Sequence, residues 1–420
     1  MKILLKNAKI LTLKNKNIID GEILVDGNKI AQIARKINMK ADRVVNCEGN
    51  LLMPGFKNAH AHSAMTFLRG YAENLQLYDW LNKCVFPSET RFIKNDIYHL
   101  SKLAYLEYLS SGITACFDMY YFVDEIKRAC EDIGMRSVIL LDPRKSNFDE
   151  LISNFKSFNK KNSIVSACLG FHAHYTTTKA NLKKLSKISH QFKAPIYTHC
   201  SETSYEVLKR QKLSYLTPVA YLDSLGLFDY GGGIFHGVYL TKEDVKILKK
   251  HHISVCTCPA SNLKLASGIA PVKHLFDAGI NVAIGTDGPA SNNALDMFRE
   301  AYLTSVLSKI KNNDPVGLQS FDVLKMATVN GAKMMNLKDA DVLAKNKLAD
   351  IIMIDLHQPN MQPLNNIFND LVYSASKINV KMTMINGKIL YYNHKYYLNE
   401  SVEKIYEKAK KITNRLIAKK

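Results

Sequence analysis

From Lys2 to about residue 50, apolar and polar positions alternate in the manner of short, half-buried strands. "KILLKNAKILTL" and "IIDGEILVDGNKIAQIA" carry this period of two, and Asp20-Gly21 and Asp26-Gly27-Asn28 read as turns. The end of the chain returns to the same style. "ADIIMIDL" and "VKMTMINGKILYYNHKYYL" alternate again, and Asn386-Gly387 signals a hairpin. Both termini therefore predict β-structure, and strands from the two ends are expected to build one small domain.

The middle differs. Between about 51 and 340, eight short apolar runs ("NLLMPGF", "ITACFDMY", "RSVILLD", "SIVSACLGF", "APIYTHC", "GGIFHG", "ISVCTCP" and "NVAIGTD") alternate with amphipathic stretches such as "DIYHLSKLAYLEYLSS". "TKEDVKILKKHH" opens with Thr241-x-x-Asp244, a helix-capping pattern. Eight strands alternating with helices predict an α/β fold, a (β/α)8 barrel. A doubly wound sheet is the alternative, but no glycine-rich phosphate loop follows the first run. The expected division is a composite β-sandwich domain from residues 1–54 and 343–420, enclosing a barrel over 55–342.

Composition changes this picture little. The 420 residues are 47% hydrophobic and 23% charged, as a packed globular interior requires. No stretch approaches the apolar length of a bilayer span, and Lys6 and Lys9 interrupt the opening run, so a cytoplasmic protein without membrane association is expected. The eight cysteines form no regular framework, and reduced, buried thiols are expected; Cys256-x-Cys258 has no second pair to complete a four-sulfur zinc site. A formal charge of +19 raises the question of nucleic acid. The lysines are dispersed singly or in pairs, without a basic block interleaved with aromatics, so a solvated surface and no nucleic-acid partner are expected.

In a barrel of this kind, chemistry gathers where strands end. The first run ends in His60 and His62, the fourth in His172 and His174, the fifth in His199 and Glu202, the sixth in His236 and the eighth in Asp287. Alone, each histidine reads more readily as a satisfied core or surface residue than as a ligand, and Asp287 as a turn residue. Together, His60, His62, His199 and Asp287 offer three imidazoles and a carboxylate, a donor set suited to one zinc or ferrous ion with a position left for water. Such an ion lowers the pKa of its water from about 15.7 towards about 7. Glu202 is placed to carry protons, and His236 to polarise the water or the developing oxyanion.

These residues resemble the amidohydrolase superfamily and, within it, the 5-methylthioadenosine/S-adenosylhomocysteine deaminase branch, close to the triazine chlorohydrolases. The resemblance runs through "PGFKNAHAH", "TFLRGYAENLQLYDWL", "ETRF", "SGITACFDMYYF", "HCSET", "SNLKLASGIAPV", "GTDGPASNNALDMF", "ADIIMIDL" and "LVYSAS". It implies a mononuclear barrel, with Zn2+ as the expected ion and Fe2+ the alternative, that hydrolytically deaminates C6 of an adenine nucleoside or thioether derivative. By position, it implies metal ligation by His60, His62, His199 and Asp287, proton transfer by Glu202, stabilisation of attack by His236, and first acceptance of the water proton by Asp287. It further implies that Glu89 holds ribose hydroxyls, that Trp80 packs on substrate, that His172 faces the purine, and that the protein is a homo-oligomer.

The chain departs from the family pattern in three places. "GFHAHY" at 170–175 replaces two prolines with Phe171 and His174; Thr257-Cys258-Pro259 replaces a His-Asn-Pro; and Leu141 stands where an arginine is expected. A second arginine has no clear counterpart, although Arg144 and Lys145 are near. Those arginines are associated in the family with an amino-acid carboxylate, so their loss points away from S-adenosylhomocysteine. Three other readings remain open at this stage. The same machinery fits guanine, another aminated purine, a pterin or a triazine; a barrel without catalysis would need no proton carrier; and an RNA-binding role predicts strongly salt-dependent binding.

Overall fold

The computed structural model describes residues 1–71, 73–144, 147–161 and 163–417. Two sheets organise them. One is a nine-stranded mixed sheet drawn from both ends of the chain; the other is an eight-stranded parallel barrel.

The two ends meet where Leu51–Pro54 pairs antiparallel with Ile351–Ile354, Leu51 opposite Ile354 and Pro54 opposite Ile351. Side chains here alternate between two cores. Leu52, Ile351 and Met353 pack with Ile3, Leu5 and Ile10 on one face, while Leu51, Met53, Ile352 and Ile354 join the large core around the barrel. These strands are thus buried on both faces, which is why "IIMI" carries no polar position. Asn386-Gly387 forms the expected left-handed turn between Val380–Ile385 and Lys388–Tyr392.

Two local expectations are corrected. Asp20-Gly21 is no turn: it lies inside strand Ile18–Asp26, opposite Lys9 and Ala8. Glycine is needed there because a Cβ would come within 2.6 Å of the Ala34 carbonyl oxygen. The run "NLLMPGF" also divides, its first half belonging to the terminal sheet and only Phe56 opening the barrel.

The barrel strands are β1 (Phe56–Ala61), β2 (Ile113–Asp118), β3 (Arg136–Leu141), β4 (Val165–Ala173), β5 (Ile196–Cys200), β6 (Gly232–His236), β7 (Ile253–Thr257) and β8 (Val282–Ile284). They pair in sequence order, each parallel to the next. First and last are joined by the Asp287 N–H donating to the His60 carbonyl (2.9 Å) and the Thr286 N–H donating to Asn58 Oδ1 (2.8 Å). Closure therefore brings His60 and Asp287, 227 positions apart, to one place. Ala59, Phe117, Leu140, Phe235 and Cys256 fill the interior, leaving the carboxyl ends of the strands to form a site.

Connecting helices obey their local signals. Lys242–Lys250 begins at the Thr241/Asp244 capping box, with both reciprocal hydrogen bonds formed. The helix Val402–Ile417 braces the first turn of Lys94–Ser110 and the segment before it: Arg415 pairs with Asp96, and Arg91 donates to the Leu416 carbonyl. All eight cysteines are free thiols, and all but Cys84 are buried. Among the described residues, no helix is long and apolar enough to cross a membrane.

Candidate active site

Three strand ends and one loop converge at the carboxyl end of the barrel. β1 brings His60 and, just past it, His62; β5 brings His199; β6 brings His236; the loop after β8 brings Asp287. The ligating atoms of His60, His62 and His199 lie within 4.8 Å of one another, and so do those of His60, His236 and Asp287. Asp287 Oδ1 stands 3.5 Å from His60 Nε2 and 3.3 Å from His62 Nε2. Gly285 permits this approach, since a Cβ there would meet the His60 backbone nitrogen at 2.7 Å.

The rings are aimed by their other nitrogens. His62 Nδ1 bonds the Met119 carbonyl (2.6 Å), His199 Nδ1 the His172 carbonyl (2.7 Å) and His236 Nδ1 Asn262 Oδ1 (2.8 Å). A carbonyl oxygen only accepts, so these Nδ1 atoms carry the proton; His62 and His199 keep an Nε2 lone pair for the centre, while His236, with Glu202 near its Nε2, has that nitrogen to donate. Asp287 is held equally firmly. Its Oδ2 accepts from Ser261 Oγ (2.6 Å) and Ser291 Oγ (2.8 Å), its Oδ1 from the Gly288 N–H (2.7 Å). The backbone is strained here as well. Ser201, His236 and Asp287 adopt left-handed φ values of 55°, 72° and 59°, costing about 1–3 kcal/mol each that the surrounding packing must offset.

Burial and charge set the protonation states. Burial lowers His60 to about 3 and, with the neighbouring imidazoles, holds His199 well below its ordinary value, so both are neutral. Burial works to raise Asp287, but the adjoining His60 and His62 overcome it and keep the carboxylate well below its usual range. Glu202 is pushed up to about 7, first by burial and then by the charges of Asp287 and Glu206, against the pull of His236. For His236 burial is outweighed by Glu202 and Asp287, and its pKa rises.

The donor chemistry fits a divalent ion. Both ring nitrogens of His60 are buried without a hydrogen-bond partner, a situation that costs about 1–3 kcal/mol per group unless something ligates them. Neutral imidazoles and an ionised carboxylate are the states a metal requires of its ligands.

Above this floor opens a cavity lined by His62, Trp80, Glu89, His172, His199, Glu202, His236 and Asp287, with Met65, Leu81, Phe86 and Leu265 adding apolar wall. Glu202 Oε2 is 3.9 Å from His236 Nε2. Trp80, on a π-helical turn spanning Trp80–Val85, is buried against the cavity. Glu89, on the short helix Phe86–Glu89, accepts the Tyr121 hydroxyl (2.8 Å). The structure thus gathers every residue singled out for the site except His174, which stands behind it, 3.2 Å from Glu206.

Sequence reasoning missed several neighbours. Ser261, Asn262 and Ser291 lie in the quoted segments "SNLKLASG" and "GPASNN", yet nothing in a serine or asparagine announces which oxygen or imidazole it will hold. Leu141 is buried in the layer between strands and helices, away from the cavity, whereas Asp142 and Arg144 line it. Arg144 is engaged there: its Nε and Nη2 donate to Asp142 Oδ2 at 2.9 and 2.7 Å. Lys145 lies outside the described residues.

The chain is similar to known proteins along most of its length. A model of the amidohydrolase family matches residues 51–390. A 5-methylthioadenosine/S-adenosylhomocysteine deaminase of Thermococcus onnurineus is 38% identical over 93% of this chain and 94% of its own. A 5'-deoxyadenosine deaminase of Methanosarcina acetivorans is 34% identical over 99% of both. Among solved structures, an adenosine deaminase from Xanthomonas campestris with bound zinc superposes with a TM-score of 0.93 at 28% identity, covering 99% of this chain and 98% of that one.

Proposed function

The chain belongs to the amidohydrolase family, and from that premise we propose that it is a metal-dependent hydrolase that deaminates C6 of an adenine nucleoside or thioether derivative: 5-methylthioadenosine, S-adenosylhomocysteine or adenosine. Water adds at C6, the amino group leaves as ammonia, and the inosyl product remains. The observation that carries this reading is the meeting of three imidazoles and Asp287 at the floor of a cavity into which the buried Glu202 carboxyl opens, 3.9 Å from His236.

In this reading His60, His62, His199 and Asp287 would hold one divalent ion, Zn2+ in preference to Fe2+, which would supply Lewis-acid activation of water near neutral pH. The chain's own groups do the rest. Asp287, kept ionised by the histidines, takes the first proton from the attacking water. His236, its ring fixed by Asn262, faces the attacking oxygen and stabilises the charge that develops there. Glu202, with a pKa of about 7, donates to a ring nitrogen as C6 becomes tetrahedral and later delivers a proton to the departing ammonia. Trp80 packs on the substrate, His172 faces the purine, and Glu89 receives the ribose hydroxyls.

Two expected outcomes test the substrate end. Glu89→Ala is expected to lower kcat/KM about tenfold or more for ribosylated substrates, the loss of a charged hydrogen bond worth about 1.5–3 kcal/mol, and to leave any turnover of the free base unaltered. Parallel assays of nucleoside and base check it, and normal adenosine kinetics would remove Glu89 from the sugar site. Arg144 is compensated by Asp142, so the described wall offers no uncommitted cation to an amino-acid carboxylate. S-adenosylhomocysteine is accordingly expected to have a kcat/KM at least about tenfold below that of 5-methylthioadenosine. Equal values for the two substrates would show that the carboxylate is received after all.

The deciding experiment is ammonia release from 5-methylthioadenosine, S-adenosylhomocysteine, adenosine and guanine, on protein whose metal content is known from elemental analysis. Ammonia from guanine and none from the adenine compounds would overturn the substrate assignment.

A further inference from the structure

The turn that carries Glu202 away from β5 is held by a carboxylate with no part in the mechanism above. Glu206, on the helix Ser204–Ser214, is buried, and each of its oxygens is committed. Oε1 accepts the Ser201 N–H (3.0 Å) and Oε2 the Glu202 N–H (2.8 Å). The first of these amides belongs to the left-handed residue Ser201 (φ 55°), so Glu206 satisfies both donors of a strained turn whose next side chain is Glu202. On its far side stands His174, buried, with Nε2 3.2 Å from Glu206 Oε1, an ion-pair distance without hydrogen-bond alignment; among the described residues neither ring nitrogen makes a hydrogen bond. His174 is one of the residues at which this chain leaves the family pattern.

We propose that Glu206 is a positioning residue that aims Glu202 into the cavity, and that His174 is the counter-group that keeps the Glu206 carboxylate in place. The proposal rests on Glu202 being the proton carrier. A buried carboxylate is tolerated when its oxygens are hydrogen-bonded and a cationic or donor group adjoins it. Two backbone N–H groups supply the hydrogen bonds here, and the His174 imidazole is the adjoining group. The arrangement also separates this pair from the ion site. His199 is anchored by its own bond to the His172 carbonyl, so disturbing Glu206 moves Glu202 and leaves the ligand ring fixed.

Glu206→Gln is the direct test. A glutamine offers one accepting oxygen, and its NH2 would face the second backbone N–H. Displacing a reacting group by about 1 Å costs on the order of 10²-fold in rate. The variant is therefore expected to lose roughly 10²-fold in kcat, with KM within about threefold of its starting value and the metal content per subunit unchanged. Glu206→Asp, which can still reach one N–H, is expected to fall between the two, and it serves as the test should the glutamine variant fail to fold. His174→Phe is expected to lower kcat by about tenfold in the native background and by little in Glu206→Gln, as a coupled pair requires. Unchanged kcat in Glu206→Gln, or metal lost in step with activity, overturns the positioning role; equal cost of His174→Phe in both backgrounds overturns the coupling. Amide hydrogen exchange at Ser201 and Glu202, expected to quicken in Glu206→Gln, reads the same contact without substrate. If the metal-loaded native protein turned over no purine, the functional reading would fail while unaltered exchange would still refute this one.

Discussion

Glu202→Gln is expected to lower kcat by about 10³–10⁴-fold while the bound metal stays at the native level, which corresponds to a barrier higher by about 4–5.5 kcal/mol. The size follows from what the side chain faces. Glu202 is buried, among the described residues its Oε1 has only the long Ser267 hydroxyl contact (3.4 Å), and its Oε2 stands 3.9 Å from His236. It is thus free to give and take a proton rather than locked in an ion pair. A pKa of about 7 means that both forms are populated at neutral pH, as a group that donates to the ring and later delivers a proton to ammonia must have. Glutamine keeps the volume and can still donate a hydrogen bond, but it has no proton to transfer. Binding should therefore survive where turnover does not. Ammonia release under saturating substrate, paired with elemental analysis, checks the result. Near-native kcat would take the proton path away from Glu202, and loss of metal would show that it also supports the ion site.

How much of this could be read before the structure depends on the physical range of each signal. The barrel was legible because each strand is an apolar run with its own local boundary, and once eight runs are counted the residues at their ends are known by position. His60, His62, His199, His236 and Asp287 were found in that way, without knowledge of any distance. What could not be read is whatever depends on a distant partner. Asp20-Gly21 carries a local turn signal, yet its glycine is required by the Ala34 carbonyl lying against it. Ser261 is 26 positions from the aspartate it holds, and Asn262 is 26 positions from the histidine it orients. Ordinary polar residues of this sort acquire a role only when the barrel closes. Leu141 illustrates the opposite case, a position expected near substrate that strand alternation turns towards the helices.

Asp287→Asn is expected to damage both metal retention and turnover, with kcat/KM falling by at least about 10³-fold even in excess zinc. Asp287 is the one anionic donor beside three imidazoles, and its Oδ1 faces His60 and His62 at 3.5 and 3.3 Å. Ser261 and Ser291 both donate to Oδ2, so an asparagine that keeps its carbonyl oxygen there must turn its NH2 towards His60 and His62. That orientation removes a negative charge and presents hydrogens to a cation. The reverse orientation places the NH2 against two hydroxyls and still leaves a neutral oxygen, too weakly basic to take a proton from water. Thermal unfolding supplies a readout independent of catalysis. An ion that binds only the folded state stabilises it by RT ln(1 + [L]/Kd), about 2.7 kcal/mol at a hundredfold excess over Kd. Chelation should therefore lower the Tm of the native protein by several degrees and that of Asp287→Asn hardly at all. A variant that kept its metal and lost only turnover would leave Asp287 as a proton acceptor and remove it from the ligand set; one that kept both would remove it from the site's chemistry altogether.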